Sequence, residues 1–134
     1  YCDFISFANK EEYVEQYINA LKEEIKNTTY NNYDVDTIYI GGGTPSFIDS
    51  KNIIEILDLV KEKFNIKNNA EITIEVNPGT INEEKLQDYK NAGINRISIG
   101  LQSTNDKILN CIIIANYAFF LGGLQDFVPI SLNL

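Results

Sequence analysis

Between Thr37 and Phe47 the chain reads TIYIGGGTPSF, a short β-prone run that enters three consecutive glycines and leaves through Thr44-Pro45-Ser46. Glycines carry no side chain, so Gly41, Gly42 and Gly43 expose a run of backbone groups that a ligand can approach closely. A strand's C-terminal end is where α/β proteins place their sites. Taken alone, such a loop is either a ligand cradle or a structural turn, and the flanking sequence has to separate the two.

Working outward, apolar positions repeat at helical spacing on both sides of the loop. Val14, Tyr17, Ile18, Leu21 and Ile25 form one stripe, and Asn9 with Glu12 resembles a capping box, so a helix is predicted over 9–26. A polar loop over 27–36 leads to a strand over 37–40. Ile53, Leu57, Val60 and Phe64 define a second helix over 50–64. A strand over 71–76 is closed by Asn77-Pro78-Gly79, a third helix spans 83–92, and Gly93 suits its left-handed cap. A strand over 95–100 follows, and a helix begins near Thr104. Helix and strand alternate throughout, which predicts a parallel sheet with crossover helices.

Within these strands Ile38, Ile40, Ile72, Ile74, Val76, Ile97, Ile99 and Leu101 share one face. Thr37, Tyr39, Thr73, Glu75, Arg96, Ser98 and Gln102 share the other. The apolar face is expected to lie under the helices. The polar face is either a barrel lumen that holds a ligand or the solvated side of a partial sheet. The character changes toward the C-terminus: from Ile108 to Leu134 the only charged residue is Asp126. This segment reads as a buried helix with a terminal strand, or as sequence foreign to the fold.

Composition limits the chemistry. With 134 residues the chain is about one domain, and its formal net charge of −8 argues against nucleic acid or an anionic membrane as partner. No apolar run reaches the roughly 20 residues of a membrane-spanning helix. There is no histidine, which removes His bases and His-ligated metals. Cys2 and Cys111 make no disulfide framework, so a cytoplasmic location with reduced thiols is expected. The lack of any methionine predicts a chain that does not start at its natural N-terminus.

Four motifs converge on one family: Tyr1-Cys2-Asp3-Phe4, Gly41-Gly42-Gly43-Thr44-Pro45-Ser46, Thr73-Ile74-Glu75-Val76-Asn77-Pro78 and Arg96-Ile97-Ser98-Ile99-Gly100-Leu101-Gln102-Ser103. In this order the sequence resembles the radical S-adenosylmethionine (SAM) enzymes related to oxygen-independent coproporphyrinogen III oxidase and their haem-chaperone relatives. The resemblance covers about 1–110 and implies a partial, incomplete radical SAM-type (β/α) barrel there, with 111–134 an apolar C-terminal segment of uncertain origin. It also implies two cofactors, SAM and a 4Fe–4S cluster held by a Cys-x3-Cys-x2-Cys loop. Cys2 matches the third cysteine of that loop, and the first two would lie upstream of Tyr1.

The same resemblance assigns Gly41, Gly42, Gly43 and Thr44 to the methionine end of SAM, and Glu75 and Gln102 to polar contacts with it. Read without the family, Glu75 could instead pair with Arg96, which is expected to be structural. Phe4 and Ser103 resemble the haem-chaperone branch more than the oxidases, so haem or porphyrin is the implied partner. The family's arginine for the SAM carboxylate falls near Ile114, which cannot supply that charge. The reading is therefore a fragment of a haem-chaperone-like protein, inactive by itself and without an assigned catalytic residue. The alternatives are a coproporphyrinogen III oxidase of porphyrin biosynthesis and a non-catalytic α/β binding fragment.

Overall fold

The computed structural model describes residues 11–29, 32–100 and 130–133. Four strands form one sheet in the order β1-β2-β3-β4: β1 is Asp34–Ile40, β2 Asn65–Val76, β3 Arg96–Gly100 and β4 Ile130–Asn133. Every pairing is parallel. Parallel neighbours require crossovers, and helices α2 (Ser50–Lys63) and α3 (Glu83–Asn91) supply the first two. Helix α1 (Val14–Asn27) precedes the sheet and is tied to α2 by the Lys22–Glu55 ion pair. That ion pair holds the Glu55 carboxyl below its usual range.

The core lies between the sheet and helices α2 and α3. Ile53 and Leu57 of α2 and Leu86 and Tyr89 of α3 pack with Ile72, Ile74, Val76, Ile97 and Ile99. These strand positions are the apolar face expected from the alternation. Burying such aliphatic side chains is worth about 1.5–3 kcal/mol each, and that stabilisation holds the helices on one side of the sheet.

Local chemistry sets the ends of the elements. Asp49 caps α2 by accepting from the Lys51 N–H, and Asn82 caps α3 by accepting from the Lys85 N–H. Helix α3 ends in a Schellman arrangement: Gly93 takes φ 90°, its N–H donates to Lys90 O, and the Ile94 N–H donates to Tyr89 O. Asn95 acts as a clasp before β3. Its side chain accepts from the Ile72 N–H at 2.9 Å and donates to Ala70 O at 2.9 Å.

Several expectations need correction. Helix α1 starts at Val14 after a 3-10 turn at Glu11–Tyr13 and has no side-chain cap. Asn9, the expected capping residue, lies outside the described residues. Tyr17 was expected in the apolar stripe but is 65% exposed, because Ile18 is the residue of α1 that turns fully inward. Strand β2 begins six residues earlier than expected, at Asn65. Its polar start runs beside Asp34 and Val35, with an irregularity between Val35 and Thr37. The Asn65 amide donates to Asp34, and Lys67 pairs with Asp36 at 3.8 Å. Of the two readings of the polar face, burial of Thr73 and Ser98 does not match the solvated one.

Candidate functional site

The C-terminal ends of β1 and β2 converge on the glycine loop. Tyr39 and Thr73 are register partners, and Glu75 lies one pleat further along the same face of β2. From there the Glu75 carboxylate reaches back over the loop. Its Oε2 accepts from the Gly42 N–H at 3.2 Å and its Oε1 accepts from the Tyr39 hydroxyl at 2.8 Å. Partial burial, the Glu75 hydrogen bond and the carboxylate's charge all raise the Tyr39 hydroxyl above the usual phenol range, outweighing the opposite pull of Ser98 and Arg96. Tyr39 therefore stays protonated and serves as donor.

Two of the glycines are required for separate reasons. A Cβ on Gly41 would lie 2.8 Å from the Tyr39 ring and 3.1 Å from Glu75 Oε2, so a side chain there would fill the space over the carboxylate. Gly42 has open space around it but adopts φ 110°, which strains any residue with a Cβ. Thr44 turns its hydroxyl onto Gly43 O at 2.6 Å. That proton is committed within the loop, so Thr44 Oγ1 can offer a ligand only acceptor capacity.

The mouth is consequently rich in acceptors. The Glu75 carboxylate has lone pairs beyond the two it uses, and Thr44 Oγ1 adds another. A carboxylate over a glycine loop repels phosphate and attracts an ammonium or hydroxyl groups. The residues fit a ligand that presents a protonated amine, and they do not fit an anion.

Behind the loop lies a second polar cluster that sequence reasoning missed. Ser46 follows Pro45 in the 3-10 turn Pro45–Phe47 and is fully buried. Its hydroxyl accepts from the Asn77 N–H at 3.0 Å and hydrogen-bonds the Thr80 hydroxyl, which also donates to Asn77 O. Lys85 Nζ donates to Ser46 O at 2.8 Å, Ile48 O at 2.9 Å and Thr80 O at 3.3 Å. The one hint in the sequence was that Lys85 stands in the first turn of a helix, where a cation is out of place.

Arg96 is structural, as expected, but pairs with Glu71 at 3.2 Å rather than with Glu75. Register explains this, since Arg96 lies opposite Thr73 whereas Glu75 lies opposite Ser98. Gly41, Gly42, Thr44 and Glu75 are thus brought together, with Gly43 between them in the loop. Cys2, Gln102, Phe4, Ser103 and Ile114 lie outside the described residues. Among the described residues there is no group of three His, Cys, Asp or Glu side chains that could hold a metal ion. Nor is any described helix long and apolar enough to cross a membrane.

Comparison with known proteins gives a consistent picture. The Radical SAM superfamily matches residues 1–128. The heme chaperone HemW of Buchnera aphidicola (Schizaphis graminum) is 40% identical over 114 residues, covering 81% of this chain and 30% of that protein. HemW of Escherichia coli is likewise 40% identical over 114 residues, with the same coverage. Among solved structures, the coproporphyrinogen III oxidase HemN of Escherichia coli aligns with a TM-score of 0.82 at 26% identity, covering 98% of this chain and 32% of that one. The chain spans about 30% of the length of the curated relatives it matches.

Proposed function

The chain belongs to the radical SAM superfamily, and from that premise we propose that it forms the SAM-binding part of a cytoplasmic, haem-chaperone-like protein. The observation that carries the proposal is the closure of Glu75 onto the Gly42 N–H from the neighbouring strand. A carboxylate held there can accept from the amino group of SAM, which supports the reading. Gly41 keeps the approach open, and Gly42 and Gly43 bring main-chain groups close to the methionine end. Thr44 contributes an acceptor, Glu75 orients the ammonium or ribose hydroxyls, and Gln102 is proposed as a further amide contact. Cys2 is proposed as one ligand of a 4Fe–4S cluster, which when bound would supply electron transfer to SAM. Residues 1–110 are the proposed core portion, and within the apolar stretch 111–134 the strand Ile130–Asn133 joins the same sheet beside β3.

Haem or porphyrin is the proposed partner. Identity of 40% to heme chaperones against 26% to a coproporphyrinogen III oxidase favours the chaperone reading. The test uses the intact protein with its cluster reconstituted anaerobically. Stoichiometric haem binding by absorbance, without oxidative decarboxylation of coproporphyrinogen III, is expected. Decarboxylation at enzymatic rates would replace this reading with the oxidase. Calorimetry with SAM tests the site itself, and no measurable affinity would remove the basis of the proposal.

A further inference from the structure

We infer that Lys85 is a positioning residue that sets the glycine loop at its working distance from Glu75. The inference rests on the SAM-binding reading of that loop. Lys85 occupies the third position of α3, after the Asn82 cap. A cation there opposes the helix dipole, and partial burial pushes its pKa below the ordinary lysine value, with Asp49 only partly offsetting the effect. A lysine so placed is unfavourable unless its ammonium is well solvated by protein groups. It has three donors, and they meet three carbonyls.

The identity of those carbonyls gives the cluster its function. Ser46 O and Ile48 O belong to the exit of the glycine loop. Thr80 O belongs to the 3-10 turn Pro78–Thr80, which directly follows β2 and hence Glu75. One ammonium therefore joins the loop that carries Gly42 to the turn that carries Glu75 onward. The buried Ser46 hydroxyl repeats the connection by accepting from the Asn77 N–H. On the ligand side, the same two segments are linked by the exposed 3.2 Å bond from Gly42 to Glu75, beside the Tyr39 hydroxyl that also donates to Glu75. An exposed bond of that kind contributes little rigidity. The enclosed three-carbonyl grip is what holds the spacing.

The test compares Lys85→Met, Lys85→Arg and Gly41→Val in the intact protein by SAM calorimetry, thermal unfolding and amide hydrogen exchange. For Lys85→Met, SAM affinity is expected to fall about tenfold or more. Exchange should quicken at 41–48 and 77–81 while the amides of β3 stay protected. Lys85→Arg keeps the charge and donors and is expected to recover most of the loss. Wild-type affinity in Lys85→Met, with Gly41→Val impaired, would overturn the positioning role and leave the SAM reading intact. If Gly41→Val also binds SAM normally, the SAM reading fails, and unchanged exchange at 41–48 in Lys85→Met would then overturn the inference separately. Should Lys85→Met not fold, Lys85→Gln retains one donor group, and wild-type affinity and exchange there would count equally against it.

Discussion

The mouth and the cluster behind it are built from similar polar groups and differ in how far those groups are satisfied. At the mouth, Tyr39 is 56% exposed, and the Glu75 carboxylate uses only part of its acceptor capacity. Behind it, Ser46 is fully buried and every donor of Lys85 is engaged. Recognition needs groups with hydrogen-bonding capacity left over, whereas positioning needs groups whose capacity is used up. The two regions are adjacent because the same few residues after β1 and β2 contribute to both.

The largest test of this contrast is Gly41→Val. Its side chain would occupy the space over Glu75, and SAM affinity in the intact protein should drop about 100-fold, near 2.7 kcal/mol. Thermal stability should change little, because the Tyr39 ring it meets is exposed and can move. A large fall in melting temperature with affinity preserved would erase the distinction between the regions.

Tyr89 provides a buried polar group that lacks what the cluster has. Its hydroxyl is buried with no hydrogen-bond partner among the described residues. Burial, with Asp49 and Asp88 nearby, raises its pKa from 10.0 to about 12. Because the folded value lies above the unfolded one, the contribution is fully present below pH 10 and is lost as pH rises through about 12. The difference corresponds to roughly 2–3 kcal/mol. Denaturant unfolding across this range should show that decline, and Tyr89→Phe should flatten it while raising stability near neutral pH by about 1 kcal/mol. A steep decline that persists in Tyr89→Phe would assign the effect to another group.

Ser46→Ala belongs to the satisfied region and should act in the opposite sense to Tyr89→Phe. It strands the Asn77 N–H and should cost about 1–3 kcal/mol of stability by denaturant melts. Glu75→Gln should leave stability unchanged and weaken SAM binding about tenfold, near 1.4 kcal/mol. Equal effects of these two on stability would contradict the division. Smallest is Tyr39→Phe, which removes one donor to Glu75 and should alter SAM affinity about two- to threefold, near 0.5 kcal/mol. Calorimetry would detect it, and a loss as large as that of Glu75→Gln would make Tyr39 part of the recognition surface.

Much of the frame was legible in the sequence because its signals are local. Period-two alternation placed Ile72, Ile74, Ile97 and Ile99 on the buried face, and Gly93 marked the end of α3. Glu75 could be set near the glycine loop because both stand at the ends of consecutive parallel strands. The polar start of β2 was invisible, since Asn65, Lys67, Asn68 and Asn69 resemble a loop until Asp34 and Asp36 lie beside them. Arg96 could not be matched with Glu71 rather than Glu75 without the register.

By itself, then, the sequence determined the alternation of elements, the buried face and the glycine loop at a strand's end, because each depends on residues only a few positions apart. Tertiary structure alone decided which acceptors surround each donor. Lys85 and Ser46 are 39 residues apart, and nothing in either neighbourhood records the other. Their meeting follows from the α2 crossover, which returns the chain so that α3 begins behind the loop. A parallel sheet joins its site from distant segments, so the spacing between loop and carboxylate is a property of packing.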